Sequence, residues 1–216
     1  MRTACASRGD LPLPGGAPPA STAWTTGTQR IQSRLAERSK LLNMPDPTHD
    51  KKMAIPTEQQ CLALLRKNGT KENIVAHCRV VRDFAVNLAE RLARKGARVD
   101  IPLVAAGALL HDVEKLRPNH VKAGHDFVKK AGYPEVAILV KRHGLENLND
   151  PSYRPQSIEE KLVFYADKRV KDTAVTPLRE RFDYIRKTYN YPSIEHEFTF
   201  AREIEEEFSS LLGESP

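Results

Sequence analysis

The chain has 216 residues, 40% of them hydrophobic and 29% charged, with a formal charge of +6 at pH 7. That length carries one well-buried domain and a tail rather than two full-sized domains, and no apolar run approaches the ~20 residues of a membrane-spanning helix. Residues 1–52 hold eight Lys/Arg against four Asp/Glu, leaving only +2 for residues 53–216, so the basic charge is mostly in the tail and nucleic-acid binding is weakly supported.

Residues 1–52 are rich in Pro, Gly, Ser and Thr and lack an apolar period, which predicts a disordered N-terminal tail. A start at Met44 or Met53 is an alternative, since either stands nearer the first convincing helix. Thr57-Glu58-Gln59-Gln60 has the form of a capping box and opens a short helix that stops at Gly69. Ile74, His77, Val81, Phe84, Leu88 and Leu92 recur at three- and four-residue steps before Gly96, which predicts a second helix with His77 in its buried stripe. Asp100 and Pro102 introduce LVAAGALLHDVEK, a third helix apolar on almost every side and therefore central. Asn119 starts HVKAGHDFVKKAG and Pro134 starts PEVAILVKRHG, two short helices ended by glycines. Ser157-Ile158-Glu159-Glu160 is a second capping box, leading into KLVFYADKRV. Amphipathic helices follow over 177–189 and 193–212. No segment alternates with period two, so the fold class is all-α, a helical bundle. Cys5, Cys61 and Cys78 are odd in number and lack CxxC spacing, which indicates neither a disulfide framework nor a thiolate zinc site and fits the cytoplasm.

Four of these helices carry His or Asp at or near a buried face: His77, His111 with Asp112, His143 and Asp167. Such groups cost free energy in an apolar interior unless paired, hydrogen-bonded or bound to a metal, so several converging on one core favour a shared cation. His111-Asp112-Val113-Glu114-Lys115 ends the apolar run, His77 lies a helix pair upstream in AHCRVVRDFAVNLAERL, and Asp167 lies downstream in YADK. This order resembles the HD-domain (HDIG-type) metal-dependent phosphohydrolases, particularly those with an HD-x-x-K motif, over residues 58–185. Glu114 departs from the family's common glycine.

The resemblance implies a compact helical bundle, residues 53–216, whose central apolar helix carries the HD pair. It implies metal ligands His77, His111, Asp112 and Asp167, joined by His120 and His143 as in the family's two-metal branch. His125 is a rival to His120, but five residues at ~100° each separate them by ~140° on a helix. Mixed imidazole and carboxylate donors suit one or two ions of Mn, Fe, Co or Ni better than Mg. Asp112 is the expected bridging carboxylate and, with Lys115, carries the catalytic role. Lys115, Arg142 and Lys168 are the expected substrate-binding cations, with Arg117 and Arg169 behind them. Each cation also has a plainer reading as a solvated helix-end residue.

The implied activity is hydrolysis of a phosphomonoester or phosphodiester, such as a nucleotide, by a metal-activated water. A two-iron HD-type oxygenase and a non-catalytic nucleotide-sensing module are the alternatives. The expected partner is a small phosphorylated substrate, with no membrane association and with homo-oligomerisation left open.

Overall fold

Residues 54–189 and 193–216 are described by the computed structural model, and the expected tail, with both alternative starts, lies outside them. Thr57 opens α1 (Glu58–Lys67) as a full capping box: the Gln60 amide donates to the Thr57 hydroxyl and the Thr57 amide to the Gln60 side chain. In α2 (Glu72–Arg94), Ile74, Cys78, Val81, Ala85, Leu88 and Leu92 are buried at helical spacing. The side chain of Asp100 accepts from the Leu103 amide and starts α3 (Ile101–Leu110), with Pro102 in its first turn. α4 (His120–Lys130) and α5 (Pro134–Arg142) form the next pair. Ser157 opens α6 (Ile158–Arg169) through the second capping box. α7 (Leu178–Thr188) and α8 (Glu195–Leu212) complete the helices of the described residues.

α3 separates two apolar clusters. Val104 and Ala108 pack with side chains of α2, α6, α7 and α8, while Ala106, Leu109 and Leu110 pack with those of α1, α4 and α5. A helix flanked on both sides needs apolar residues all round, which is why this one carries no amphipathic period. Close approach is set by glycine: a Cβ on Gly107 of α3 would stand 2.6 Å from Leu139 Cδ2 of α5, and one on Gly124 of α4 2.9 Å from Val140 Cγ1.

Two expectations are corrected. The third helix does not continue through HDVEK but ends at Leu110, with His111 as its C-cap. The Val113 carbonyl is drawn to the turn between α1 and α2, where Asn68 Nδ2 (2.7 Å) and the Thr70 hydroxyl (3.1 Å) donate to it. Pro118 and a left-handed Asn119 (φ 51°) then set the entry to α4. The chain also contains a small hairpin, β1 (Val170–Lys171) paired antiparallel with β2 (Ala174–Val175), Val170 opposite Val175. Strands of two residues are too short for an alternating pattern to register.

Candidate metal centre

Three helix C-termini converge on one cluster. His111 caps α3, His143 caps α5 and Asp167 lies in the last turn of α6; Asp112 follows His111, and His120 is the first residue of α4. The partial negative charge of helix C-termini favours a cation there. His77, from the sixth position of α2, closes the remaining side.

The imidazoles are held by backbone carbonyls. Nδ1 of His111 donates to the Ala108 carbonyl at 2.7 Å, Nδ1 of His143 to the Val140 carbonyl at 2.6 Å, and Nδ1 of His77 to the Asp172 carbonyl at 2.8 Å. In each case the same tautomer follows, with a lone pair on Nε2 directed inward. Asp172 sits at the hairpin turn with φ 53°, so the hairpin orients His77. Ring edges meet ring faces in a row, with centroids 5.4 Å apart for His77–His111, 4.9 Å for His111–His143 and 5.4 Å for His143–His120.

The carboxylates lie among these lone pairs. Asp167 Oδ1 is 3.2 Å from His77 Nε2 and 3.5 Å from His111 Nε2. Asp112 directs Oδ2 at His111 Nε2 (3.5 Å) and Oδ1 at His143 Nε2 (3.3 Å) and His120 Nε2 (3.7 Å). Two overlapping groups result, His77, His111 and Asp167, then His111, Asp112 and His143, each with its donor atoms within 4.8 Å of one another. Donors ~2.1 Å from a shared ion are ~3.0 Å apart across an octahedral edge and ~3.4 Å across a tetrahedral one. The His77–Asp167 and His143–Asp112 spacings fall within that range, the two from His111 at 3.5 Å stand just above it, and His120 at 3.7 Å lies a little further out.

Fit to a cation is carried by one atom. His111 Nε2 is fully buried and has no hydrogen-bond partner, and at 3.5 Å its carboxylate neighbours lie beyond useful hydrogen-bond length. Leaving such an atom unsatisfied costs about 1–3 kcal/mol. The carboxylate oxygens beside it supply the charge a divalent ion requires. Burial pulls the His111 pKa down, but Asp112 facing it overcomes this and holds it well above the ordinary value; a cation would replace that proton. Burial alone would raise Asp112, yet His111 and Lys115 keep it well below the carboxylate range. Asp167 is likewise held low, against burial, by Lys168 and its two histidines. Burial pulls His143 down to about 4 and also lowers His120.

A cavity of about 370 Å³ opens onto this cluster, with His120, His143 and Asp167 in its lining. Lys115 reaches it with Nζ 3.0 Å from Asp112 Oδ2, and its pKa rises through Asp112 and Asp167 despite burial. Lys168 lines it too, tied by Nζ to Asp167 and, at 2.9 Å, to the His143 carbonyl. Burial first, then its like-charged neighbours Lys115 and Arg181, lower the Lys168 pKa. His125 is not drawn in: it pairs with its neighbour Asp126.

Arg142 does not face the cavity, contrary to expectation. Its guanidinium is committed to Glu160 (2.7 and 2.8 Å) and to the Pro151 and Ser152 carbonyls, so it braces the segment between α5 and α6. Arg169 is similarly engaged by Tyr165, Glu205 and the Thr176 carbonyl, and Arg117 pairs with Glu114. The sequence reading missed Arg181, Glu146 and Tyr189, which line the cavity. For Arg181 a signal existed. It falls on the stripe of α7 marked by the buried Leu178 and Ile185, where an arginine is out of place unless it faces a polar cavity.

The family model described as HD domain matches residues 74–171, a span that includes all six His and Asp residues of the cluster. An uncharacterized protein of Methanocaldococcus jannaschii is 32% identical over 153 residues, 63% of this chain and 89% of that protein. The tRNA (cytidine(56)-2'-O)-methyltransferase of Picrophilus torridus is 31% identical over 173 residues, 74% of this chain and 48% of its own length. That of Thermoplasma volcanium is 31% identical over 157 residues, 66% and 45% respectively. The chain thus spans about half the length of these two relatives. No solved structure matches it significantly.

Proposed function

This chain belongs to the HD-domain family, and on that premise we propose that it is a metal-dependent phosphohydrolase acting on a small phosphoester, a nucleotide in particular, in the cytoplasm. The observation that carries this reading is the buried, unpartnered Nε2 of His111 among three further imidazoles and two carboxylates, behind a cavity whose lining includes His120, His143, Asp167 and three cations.

His77, His111, Asp112 and Asp167 would hold one divalent ion, and Asp112, His120 and His143 a second, with Mn, Fe, Co or Ni favoured by the mixed donors. When bound, such an ion supplies Lewis acidity, acidifying water and offsetting the charge of a phosphoryl group. The protein's own part is positioning. The carbonyls of Ala108, Val140 and Asp172 fix the imidazole tautomers before any ligand arrives, and Lys168 fixes Asp167. Lys115, whose Nζ reaches Asp112 from a side chain 37% exposed, is placed to donate to a phosphate oxygen seated in the cavity. Low pKa values keep Asp112 and Asp167 ionised throughout the neutral range.

Two relatives are named for an activity on tRNA. That supports nucleotides and RNA ends over other phosphoesters, while methylation stays with those longer proteins. The test is phosphate release from a panel of nucleotides, phosphorylated RNA oligonucleotides and aryl phosphates, with Mn, Co or Ni supplied and Asp112→Ala as control. Metal-dependent release that Asp112→Ala removes is the expected result. Turnover indifferent to that substitution, or none on any ester, refutes the reading. Oxygen-dependent oxidation with two irons bound would move the protein to the oxygenase alternative.

A further inference from the structure

Among the described residues, the two lysines of the cavity are each matched by an acid. Lys115 pairs with Asp112 at 3.0 Å and Lys168 pairs with Asp167. Arg181 has no such match. No carboxylate of the described residues lies within ion-pairing distance of it, its Nε is buried without a hydrogen-bond partner, and its contact is the face of Tyr184, 5.6 Å from ring centroid to Cζ. The other acid in the lining, Glu146, is exposed at the rim.

A guanidinium Nε withdrawn from water without an acceptor, as that of half-buried Arg181 is, is unfavourable unless a ligand completes it. Three cations around one cavity meet two buried carboxylates, Asp112 and Asp167, while Glu146 stands at the exposed rim, so Arg181 is the cation that no buried acid matches. A planar fork of donors fits two oxygens of one phosphate, which a point-charge lysine does not. The lining also contains His120, His143 and Asp167, so Arg181 borders the same cavity as the metal-ligand cluster. The volume, about 370 Å³, suits a small ligand.

We propose that Arg181 binds the substrate phosphate and makes the cavity select a dianionic phosphomonoester over a monoanionic phosphodiester. This rests on the phosphohydrolase reading for its consequence in turnover, but the binding itself is measurable without turnover.

The experiment is calorimetric titration of the Mn-loaded full chain with inorganic phosphate, near pH 8 where it is mainly a dianion, and with dimethyl phosphate, a monoanion. Wild type is compared with Arg181→Met, which removes the charge and keeps the length, and with Arg181→Lys. Metal content and thermal midpoint are recorded for each. Wild type is expected to prefer phosphate. Arg181→Met should weaken phosphate binding about 10- to 100-fold with metal content unchanged, Arg181→Lys should recover part of it, and the preference over dimethyl phosphate should shrink about tenfold. Phosphate affinity within about twofold of wild type overturns the proposal, as does an equal loss for both ligands or no phosphate binding by wild type. If Arg181→Met lacks folded signal, Arg181→Lys carries the same comparison, and unchanged preference in it refutes the role of the fork. Should binding behave as expected while no ester is hydrolysed, the hydrolytic reading fails and the Arg181 assignment stands. Should monoester turnover proceed with Arg181→Met unaffected in KM, the reverse holds.

Discussion

Acidifying the metal-free protein should destabilise it chiefly through His143. Burial pulls this imidazole down to about 4, against ~6.5 in the unfolded chain. Between those values the unfolded chain binds a proton that the folded chain refuses, so stability rises with pH across the interval and is lost as pH falls through it. About 2.5 pKa units at ~1.4 kcal/mol each gives about 3 kcal/mol, nearly all present at neutral pH and gone near pH 4. His120, also lowered by burial, acts in the same direction. The other shifted groups of the cluster act outside this window. His111, held high by Asp112 against burial, is protonated in both states below ~6.5 and costs stability only as pH rises through its folded pKa. Asp112 and Asp167, held low, lose their contribution only below ~3.9. Urea unfolding of chelator-treated protein, followed by circular dichroism at pH 7, 5.5 and 4.5, measures the effect against His143→Gln. Wild type should lose about 2 kcal/mol more than the variant between the extremes. Parallel pH profiles would refute the claim that His143 is buried as the neutral imidazole.

Gly107→Ala forces a methyl onto Leu139 at the crossing of α3 and α5, and should lower stability by about 1–3 kcal/mol, read from the urea midpoint. Glu160→Ala strands the Arg142 guanidinium and removes one arm of the α6 capping box; a loss of about 3 kcal/mol is expected. With metal saturating, its kcat/KM should stay within about threefold of wild type, because neither residue lines the cavity. A selective loss of kcat/KM in Arg142→Ala without loss of stability would return Arg142 to the substrate. Lys115→Met should lower kcat/KM about 10- to 100-fold with metal content unchanged, the value of one or two charge-assisted hydrogen bonds; unchanged kinetics would reduce Lys115 to a surface ion-pair partner.

What the sequence made legible depended on how local the determinant was. Thr57, Asp100, Asn119 and Ser157 cap helices through residues three positions on, so their starts are written in short strings. Convergence of His77, His111, Asp112, His143 and Asp167 was readable because ionisable residues in apolar helical stripes need a common reason. Contacts distant along the chain were not readable. Arg142 looks like a free cation beside His143 until Glu160, eighteen residues on, is seen to hold it. The end of α3 is decided by Asn68 and Thr70, more than forty residues earlier. The Asp172 carbonyl that orients His77 belongs to a hairpin of two-residue strands, which leaves almost no trace in composition.

The central claim is that the His and Asp cluster is a divalent-metal centre. Elemental analysis of the full chain, purified without chelator and with Mn supplied, tests it most directly, with Asp112→Asn and His111→Gln measured alongside for metal content and helicity. One or two ions per chain in wild type, lost or sharply reduced in both variants at unchanged helical signal, is the predicted result. A metal-free wild type, or variants that retain the full complement, would contradict the account.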